Sequence, residues 1–287
     1  MIVDHNGPKG HCGGTLLRVR WADADYDDLV VRKKLAQMAL DRGDQEPMQV
    51  FYNTRLAKCW NPTEENVKAD ALKARAEAYS LRAIPAGVLV LTAAVDVQPN
   101  RLEATVYGWG AGLERWVVDH QVIWGAPSEE AVWRDLDAVL QRTLPHPSGM
   151  PLPISAACID SGGHNTQDVY NYCRLRRNRR VIAIKGASRP GRPVIANKPA
   201  KMDVTYRGRQ DKHGVELWFV GTDTAKDWLA SRWALESGPG AVHFSADLPD
   251  EFFSQLTAER RLVRYRKGHA ISEWIKNKAD RRSEERR

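Results

Sequence analysis

Two aspartates each close an apolar run. Asp96 stands near the end of Val88–Val97, and Ile154–Ile159 runs directly into Asp160. Strands built this way deliver a carboxylate to the rim of a sheet. If the two strands are neighbours, the carboxylates meet and repel unless a cation or a proton intervenes. Hard divalent cations such as Mg2+ and Mn2+ prefer oxygen donors of this kind. Two such ions about 4 Å apart assist phosphodiester hydrolysis by activating water and steadying the leaving oxygen. Each aspartate also has a plainer reading: Asp96 as a partner of the Pro99-Asn100 turn, Asp160 as an ordinary helix entry. Ser161-Gly-Gly-His164 follows Asp160, and its glycines leave room for a polyanion backbone. Glu103, on the chain returning from Asp96, is a candidate accessory acid. Asp223 reads equally as a ligand or a helix N-cap, and His164 and His243 read as locally satisfied polar residues. No Ser-His-Asp or Cys-His arrangement competes with the carboxylates.

The charge is unevenly placed. The formal net charge is +7, and Arg260–Arg287 alone accounts for it, with eleven Lys/Arg against four Asp/Glu. A second cluster, Arg174–Arg209, sets twelve basic residues against Asp203 alone. Such concentrations are the footprint expected of a protein that binds a polyanion. Arg174, Arg176, Arg177, Arg179 and Arg180 read as a face gripping a nucleic-acid backbone, since phosphate contacts position without reading sequence. Lys185, after an apolar strand, is placed to contact a phosphate or to steady developing charge.

The elements that must position these residues follow from periodicity. The runs Val88–Val97, Leu102–Trp109 and Arg115–Trp124 read as three strands joined by the turns Pro99-Asn100 and Gly110-Ala-Gly112, an antiparallel meander. Val132, Leu136, Val139 and Leu140 mark one face of a helix from Ser128 to Arg142. Ile154–Ile159 is a fourth strand, a helix begins at Asn165 or Thr166, and Arg180–Lys185 is a fifth strand. This β-β-β-α-β-α-β order predicts an α/β, RNase H-like mixed sheet, a meander extended by parallel crossovers and flanked by helices, with Asp96 and Asp160 on adjacent strands. Fold order alone carries no activity. Further on, Gly186–Lys212 reads as a basic excursion, Val215–Val220 as a strand, Thr222 onward as a helix turning Ala225, Leu229 and Trp233 inward, and Asp250–Thr257 as an amphipathic helix. Upstream, residues 1–28 read as a loose leader. Val31, Leu35, Met38 and Ala39 give residues 29–42 a helical face, and Thr63 caps a polar helix to about Ser80. The expected organisation is a lead-in over 1–85, a nuclease domain over 86–259 and a basic tail over 260–287.

Length and composition are those of a folded chain: 287 residues, 43% hydrophobic, ten tryptophans. No apolar run reaches eighteen residues, so no membrane association is expected. The four cysteines form no C-x-x-C pair, which argues against a zinc knuckle and fits a reducing compartment.

Short pieces in fixed order resemble tailed-phage terminase large subunits of the lambda type, in their C-terminal nuclease domain. They include Phe51-Tyr-Asn-Thr54, Val95-Asp-Val-Gln98, Arg101-Leu-Glu103, Gly108-Trp-Gly110, Ile159-Asp-Ser-Gly-Gly163, Ile184-Lys-Gly186, Gly221-Thr-Asp-Thr-Ala-Lys-Asp227 and Pro239-Gly-Ala-Val-His-Phe244. The resemblance covers roughly residues 50 to 275. It implies an RNase H-like endonuclease that cuts concatemeric viral DNA during packaging with Mg2+ or Mn2+, two ions in all, held by Asp96 and Asp160. The implied partners are double-stranded DNA, a small terminase subunit and a portal protein, in the host cytoplasm. The chain departs from the family plan in two places. It carries no G-x-x-x-x-G-K-[ST] loop, so no ATP site is expected in it. Where the family closes on Arg-Asn-Glu-Ala-Leu-Asp, whose last Asp is its third metal ligand, this sequence reads Arg281-Arg-Ser-Glu-Glu-Arg-Arg287, with Glu284 at the family's Glu. A catalytically inactive packaging subunit that only binds DNA or a partner is the alternative expectation.

Overall fold

The computed structural model describes residues 26–41, 46–56, 68–266 and 269–277. They divide into two compact units, one over Val67–Thr257 and one drawn from the two ends of the chain.

The larger unit is built on one mixed sheet. Strands β1 (Val90–Gln98), β2 (Arg101–Trp109) and β3 (Arg115–Trp124) form the expected meander. The order across the sheet is β7-β8-β6-β5-β1-β2-β3-β9, where β5 is Leu152–Asp160, β6 Val181–Gly186, β7 Ala200–Tyr206, β8 Arg209–Val220 and β9 Val242–His243. β1, β5, β6 and β8 run parallel to one another, and β4 (Thr143–Leu144) pairs β5 at its start. This is the RNase H-like architecture, and its central adjacency, β1 against β5, is the one that the order of elements requires.

Alternation along the strands sorts residues onto two faces. Leu91, Ala93 and Val95 of β1, Leu102, Ala104 and Val106 of β2, and Ala157 and Ile159 of β5 point to one side. There α4 (Glu130–Leu140) lays down Val132, Trp133, Leu136, Val139 and Leu140, and α5 (Thr166–Leu175) adds Val169, Tyr170, Tyr172 and Cys173. On the other side, the described residues of this unit cover the β2–β3 half. A second core forms there from Val117 with Leu72 of α3 (Ala69–Lys73), Trp233 just beyond α6 (Thr222–Arg232), Val242, Phe244, Leu248, and Phe252 and Phe253 of α7 (Asp250–Leu256). Burial of these rings and branched chains is the main stabilising term.

One irregularity sets the pattern of β3. Val106 pairs Asp119 but Tyr107 pairs Val117, so Val118 is an extra residue, a β-bulge. Val118 and Asp119 therefore turn to the same side. Arg115 and Val117 lie on the second face before the bulge, and His120 lies on it afterwards. Asp119 is buried and held by Gln121 Nε2 at 2.6 Å, Arg142 Nη1 at 3.2 Å and Arg82 Nε at 3.3 Å.

Three segments differ from expectation. Gly186–Lys212 is not irregular throughout: β7 and a β8 that begins at Arg209 form a hairpin extending the sheet, with Val204 and Val215 buried beneath a basic outer face. The basic tail beyond Ala258 contains a second hairpin, β10 (Glu259–Arg266) with β11 (His269–Lys276). A helix does form early in the chain, α1 (Tyr26–Asp41), but it buries Ala36 and Ala39 and exposes Val31, Leu35 and Met38. Its partners are Met48 of α2 (Glu46–Val50) and Phe51, and small side chains permit the closest approach to them. Thr63, the expected cap of the next helix, lies outside the described residues. No helix among the described residues is long and apolar enough to cross a membrane.

Candidate active site

The strand register decides where the acids go. Val95 pairs Ile159, so Asp96 and Asp160 stand side by side at the same rim of parallel neighbours, about 4.8 Å apart in backbone spacing. Asp96 also pairs Glu103 across the β1–β2 ladder. All three lie on the second face, Asp96 and Asp160 beside the covered half and Glu103 at its edge. They line one open cleft of about 360 Å3 together with Thr105, Tyr107, His120, Cys158 and Ile184, and with Phe252, Gln255 and Leu256 as its apolar wall. The sequence-derived trio thus comes together in one place.

Each acid is held differently. Asp160 Oδ1 accepts the Gly162 N–H at 2.9 Å, which fixes the carboxylate against the turn that follows it. A Cβ on Gly162 would stand 3.2 Å from that same Oδ1, so the glycine leaves room where the carboxylate needs it. Ser161 is buried behind it, its hydroxyl and its N–H both donating to the Ile184 carbonyl at 2.9 Å, and Thr166 ties the following turn to the Ser161 and Gly163 carbonyls. Asp96 is the most exposed of the three and is met by the amide of Gln98. Glu103 is buried and paired with Arg101 Nε at 2.6 Å, so its charge is already balanced by a guanidinium that also packs over Trp124. Among the described residues, no cation pairs with Asp96 or Asp160 in this way. Their donor chemistry, two hard oxygen groups facing an open cleft, fits a divalent cation that keeps waters in its shell. Among the described residues no three His, Cys, Asp or Glu groups are already gathered as a closed metal cage.

His120 is the residue that sequence reading missed. Its ring lies 3.0 Å, Nδ1 to Oγ1, from the Thr105 hydroxyl and edge-on to Phe252 at 5.1 Å. Burial lowers its pKa, against the pull of Glu103, Asp119 and Glu251, so the ring is neutral at neutral pH. Only the pairing of Thr105 with His120 across β2 and β3 reveals that it shares a face with the acids. Cys158 also lines the cleft; burial pushes its thiol up, and the Asp160 charge adds to this.

The basic residues are placed otherwise than expected. Lys185 follows Ile184 on β6, and since Ile184 lines the cleft, alternation turns Lys185 to the opposite face. The arginines at the end of α5 mostly meet acids remote in sequence. Arg174 pairs Asp211 at 2.9 Å, Arg177 pairs Glu216 at 2.7 Å, and Arg176 and Arg179 both pair Asp137. Arg180 turns the chain in the left-handed region before β6. All of these lie at the far end of β5 and β6 from Asp160. A different basic stretch is at the acidic rim: the loop from Ala187, which starts beside Val220 and is pinned where Asp223 Oδ2 accepts the Gly191 N–H at 2.7 Å. That contact, rather than a helix cap, is what Asp223 provides. Within this loop Arg189, Arg192 and Lys198 pair with no carboxylate among the described residues. His243 is buried between Glu77 and Glu114 and stacked on Trp116, a satisfied polar residue as expected. His164 is exposed in the turn after Asp160.

The chain is 36% identical over 247 residues to the terminase large subunit of Escherichia phage lambda, covering 83% of this chain and 37% of that protein. It is 34% identical over 240 residues to the terminase large subunit of Enterobacteria phage P21, covering 82% and 35% respectively. It therefore spans little more than a third of the length of these relatives. No solved structure matches it significantly. Residues 20–285 match the family described as terminase large subunit gpA, endonuclease domain, and the chain belongs to that family.

Proposed function

We propose that this chain is a metal-dependent DNA endonuclease domain, acting in the host cytoplasm on concatemeric viral DNA during packaging. The observation that carries the reading is the β1–β5 register, which sets Asp96 beside Asp160 on the second face of the sheet. Asp96 and Asp160 would hold Mg2+ or Mn2+, and such an ion supplies an activated water and neutralises charge at the leaving oxygen. Gly162 and Gln98 fix the two carboxylates by hydrogen bonds, so little ordering remains when DNA arrives. His120, kept neutral by burial, can take up a proton at Nε2 while Nδ1 meets the Thr105 hydroxyl. Phe252 and Leu256 limit water on one flank of the cleft. Arg189, Arg192 and Lys198 are the cations best placed to grip phosphates near the acids, ahead of the paired arginines of α5. A small terminase subunit, a portal protein and a translocating motor are the proposed partners of the whole assembly.

The test is nicking of supercoiled plasmid with Mn2+. Cleavage that disappears in Asp96→Ala and in Asp160→Asn, with folding retained, supports the reading. Plasmid left intact by the parent chain, with salt-sensitive DNA binding, replaces it with a binding-only packaging subunit.

A further inference from the structure

On the same face of the sheet, beyond Tyr107, stands a second group that the cleft does not use. Arg115 of β3 pairs Trp109 of β2 in the ladder. Its guanidinium lies 4.6 Å from the ring of Trp228 on α6 and 5.5 Å from that of Trp109, and Arg232 approaches the same Trp228 ring at 5.4 Å. Arg115 is 5% exposed, and its Nη2 is shut off from solvent with no hydrogen-bond partner; Arg232 Nε is likewise unpartnered. No carboxylate pairs with either guanidinium among the described residues.

A buried cation without a counter-ion is costly, and proteins pair such groups almost without exception. Cation–π contacts with Trp228 and Trp109 offset only part of that cost. Burial lowers the Arg115 pKa to about 10, with Arg232 pushing the same way, so Arg115 is still charged at neutral pH. Two like charges on one indole lack only an anion. Arg115 is fixed from behind by its tryptophans, and Arg232, half-buried, carries the positive potential to the surface.

We infer that Arg115 and Arg232, seated on Trp228, form a phosphate-binding subsite for the nucleic-acid backbone, separate from the carboxylate cleft. The inference deepens the nuclease reading and rests on it for the identity of the polyanion. Glu103 and Trp109 are six residues apart on β2, so the subsite stands about 20 Å from the acids at about 3.3 Å per residue. B-form DNA rises 3.4 Å per base pair, which puts the gripped phosphate about six base pairs from the bond to be cut.

The test is binding of a labelled duplex of about twenty base pairs in EDTA, over a range of salt, by the parent chain and by Arg232→Gln, Arg232→Lys and Arg115→Met. Each lost phosphate contact flattens the log–log salt dependence by about 0.9. The expected result is that flattening, with several-fold weaker binding, in Arg232→Gln and Arg115→Met, and substantial recovery in Arg232→Lys. Arg115→Met should also hold or raise the thermal midpoint, because a buried unpaired charge has been replaced by a well-packed apolar chain. A less stable Arg115→Met that binds with the parent's salt slope would make Arg115 a packing strut and overturn the proposal, as would a parent chain that binds no duplex. If inorganic phosphate stabilises the parent and none of the variants alters duplex binding, the site serves free anions and the nucleic-acid assignment falls. Plasmid nicking by the same proteins separates the two readings: nicking without arginine-dependent binding sinks only the subsite, and arginine-dependent binding without nicking sinks only the nuclease.

Discussion

The adjacency of Asp96 and Asp160 makes a prediction about stability that needs no substrate. Two unit charges about 5 Å apart repel by about 0.9 kcal/mol in bulk water and by about 3 kcal/mol at an effective dielectric of 20. Asp96 is exposed, so solvent screening keeps the value near the lower figure, about 1 kcal/mol. Asp96→Asn removes one charge, and its amide oxygen can still accept from Gln98. In EDTA at neutral pH the variant should therefore be more stable than the parent by about 1 kcal/mol, roughly 2–4 °C in thermal midpoint for a unit of this size. With Mn2+ the order reverses. An ion that binds only the folded parent adds about 2.7 kcal/mol at a hundred times its dissociation constant, whereas the variant, with one carboxylate fewer, gains far less. Thermal unfolding by circular dichroism, with and without Mn2+, measures both effects. A variant less stable than the parent in EDTA, together with equal Mn2+ shifts in the two proteins, would refute the claim that the acids are neighbours poised for a cation.

Gly162→Ala should leave the midpoint in EDTA within about 1 °C but shrink the Mn2+ shift, because the new methyl crowds Asp160 Oδ1; thermal scans at several Mn2+ concentrations check it. His120 has a lowered pKa in the fold, so the unfolded chain takes up its proton first; its contribution is complete above about pH 6.5 and is lost as pH falls below that value. His120→Gln should flatten the acid side of the stability curve and of the nicking rate, measured between pH 5 and 8. Asp137 has burial pushing its pKa up, but hydrogen bonds from Arg176, Arg179 and Tyr172 outweigh it and hold the pKa down. Its contribution is present above about pH 4 and is lost in stronger acid, so Asp137→Ala should cost about 2–3 kcal/mol in urea titrations at pH 7 and should not weaken DNA binding beyond that loss.

The parts of the molecule legible in the sequence are those where one residue pattern has one physical solution. Arg115–Trp124 is a run of strand-forming residues bounded by turn residues, and the strand has those limits. Asp96 and Asp160 could be paired because the order of elements makes their strands neighbours. Other parts depend on contacts that no local pattern encodes. Val204 and Val215 are isolated apolar residues in a basic stretch, and only their pairing across β7 and β8 makes them core. The arginines ending α5 read as a polyanion face because Asp137, Asp211 and Glu216 are separated from them in the chain. In α1 the large apolar side chains drew the helical face, but the interface with Met48 and Phe51 admits alanine. His120 is invisible for a related reason: its side of β3 is fixed by a bulge two residues earlier.

That bulge has a wider consequence. With Val118 present, β3 shows the imidazole to one end of the sheet face and the guanidinium to the other, five residues apart, where strict alternation would have sent them to opposite sides. Deleting this single residue would leave Val106 opposite Asp119 and Tyr107 opposite Val117 as regular neighbours, so the imidazole and the guanidinium, then four residues apart, would keep the same face while the core beneath the helical layer lost the buried Val118 side chain. The extra residue thus adds one more side chain to the helical-side core without moving either group off its face, so its loss should be felt first as a lower thermal midpoint.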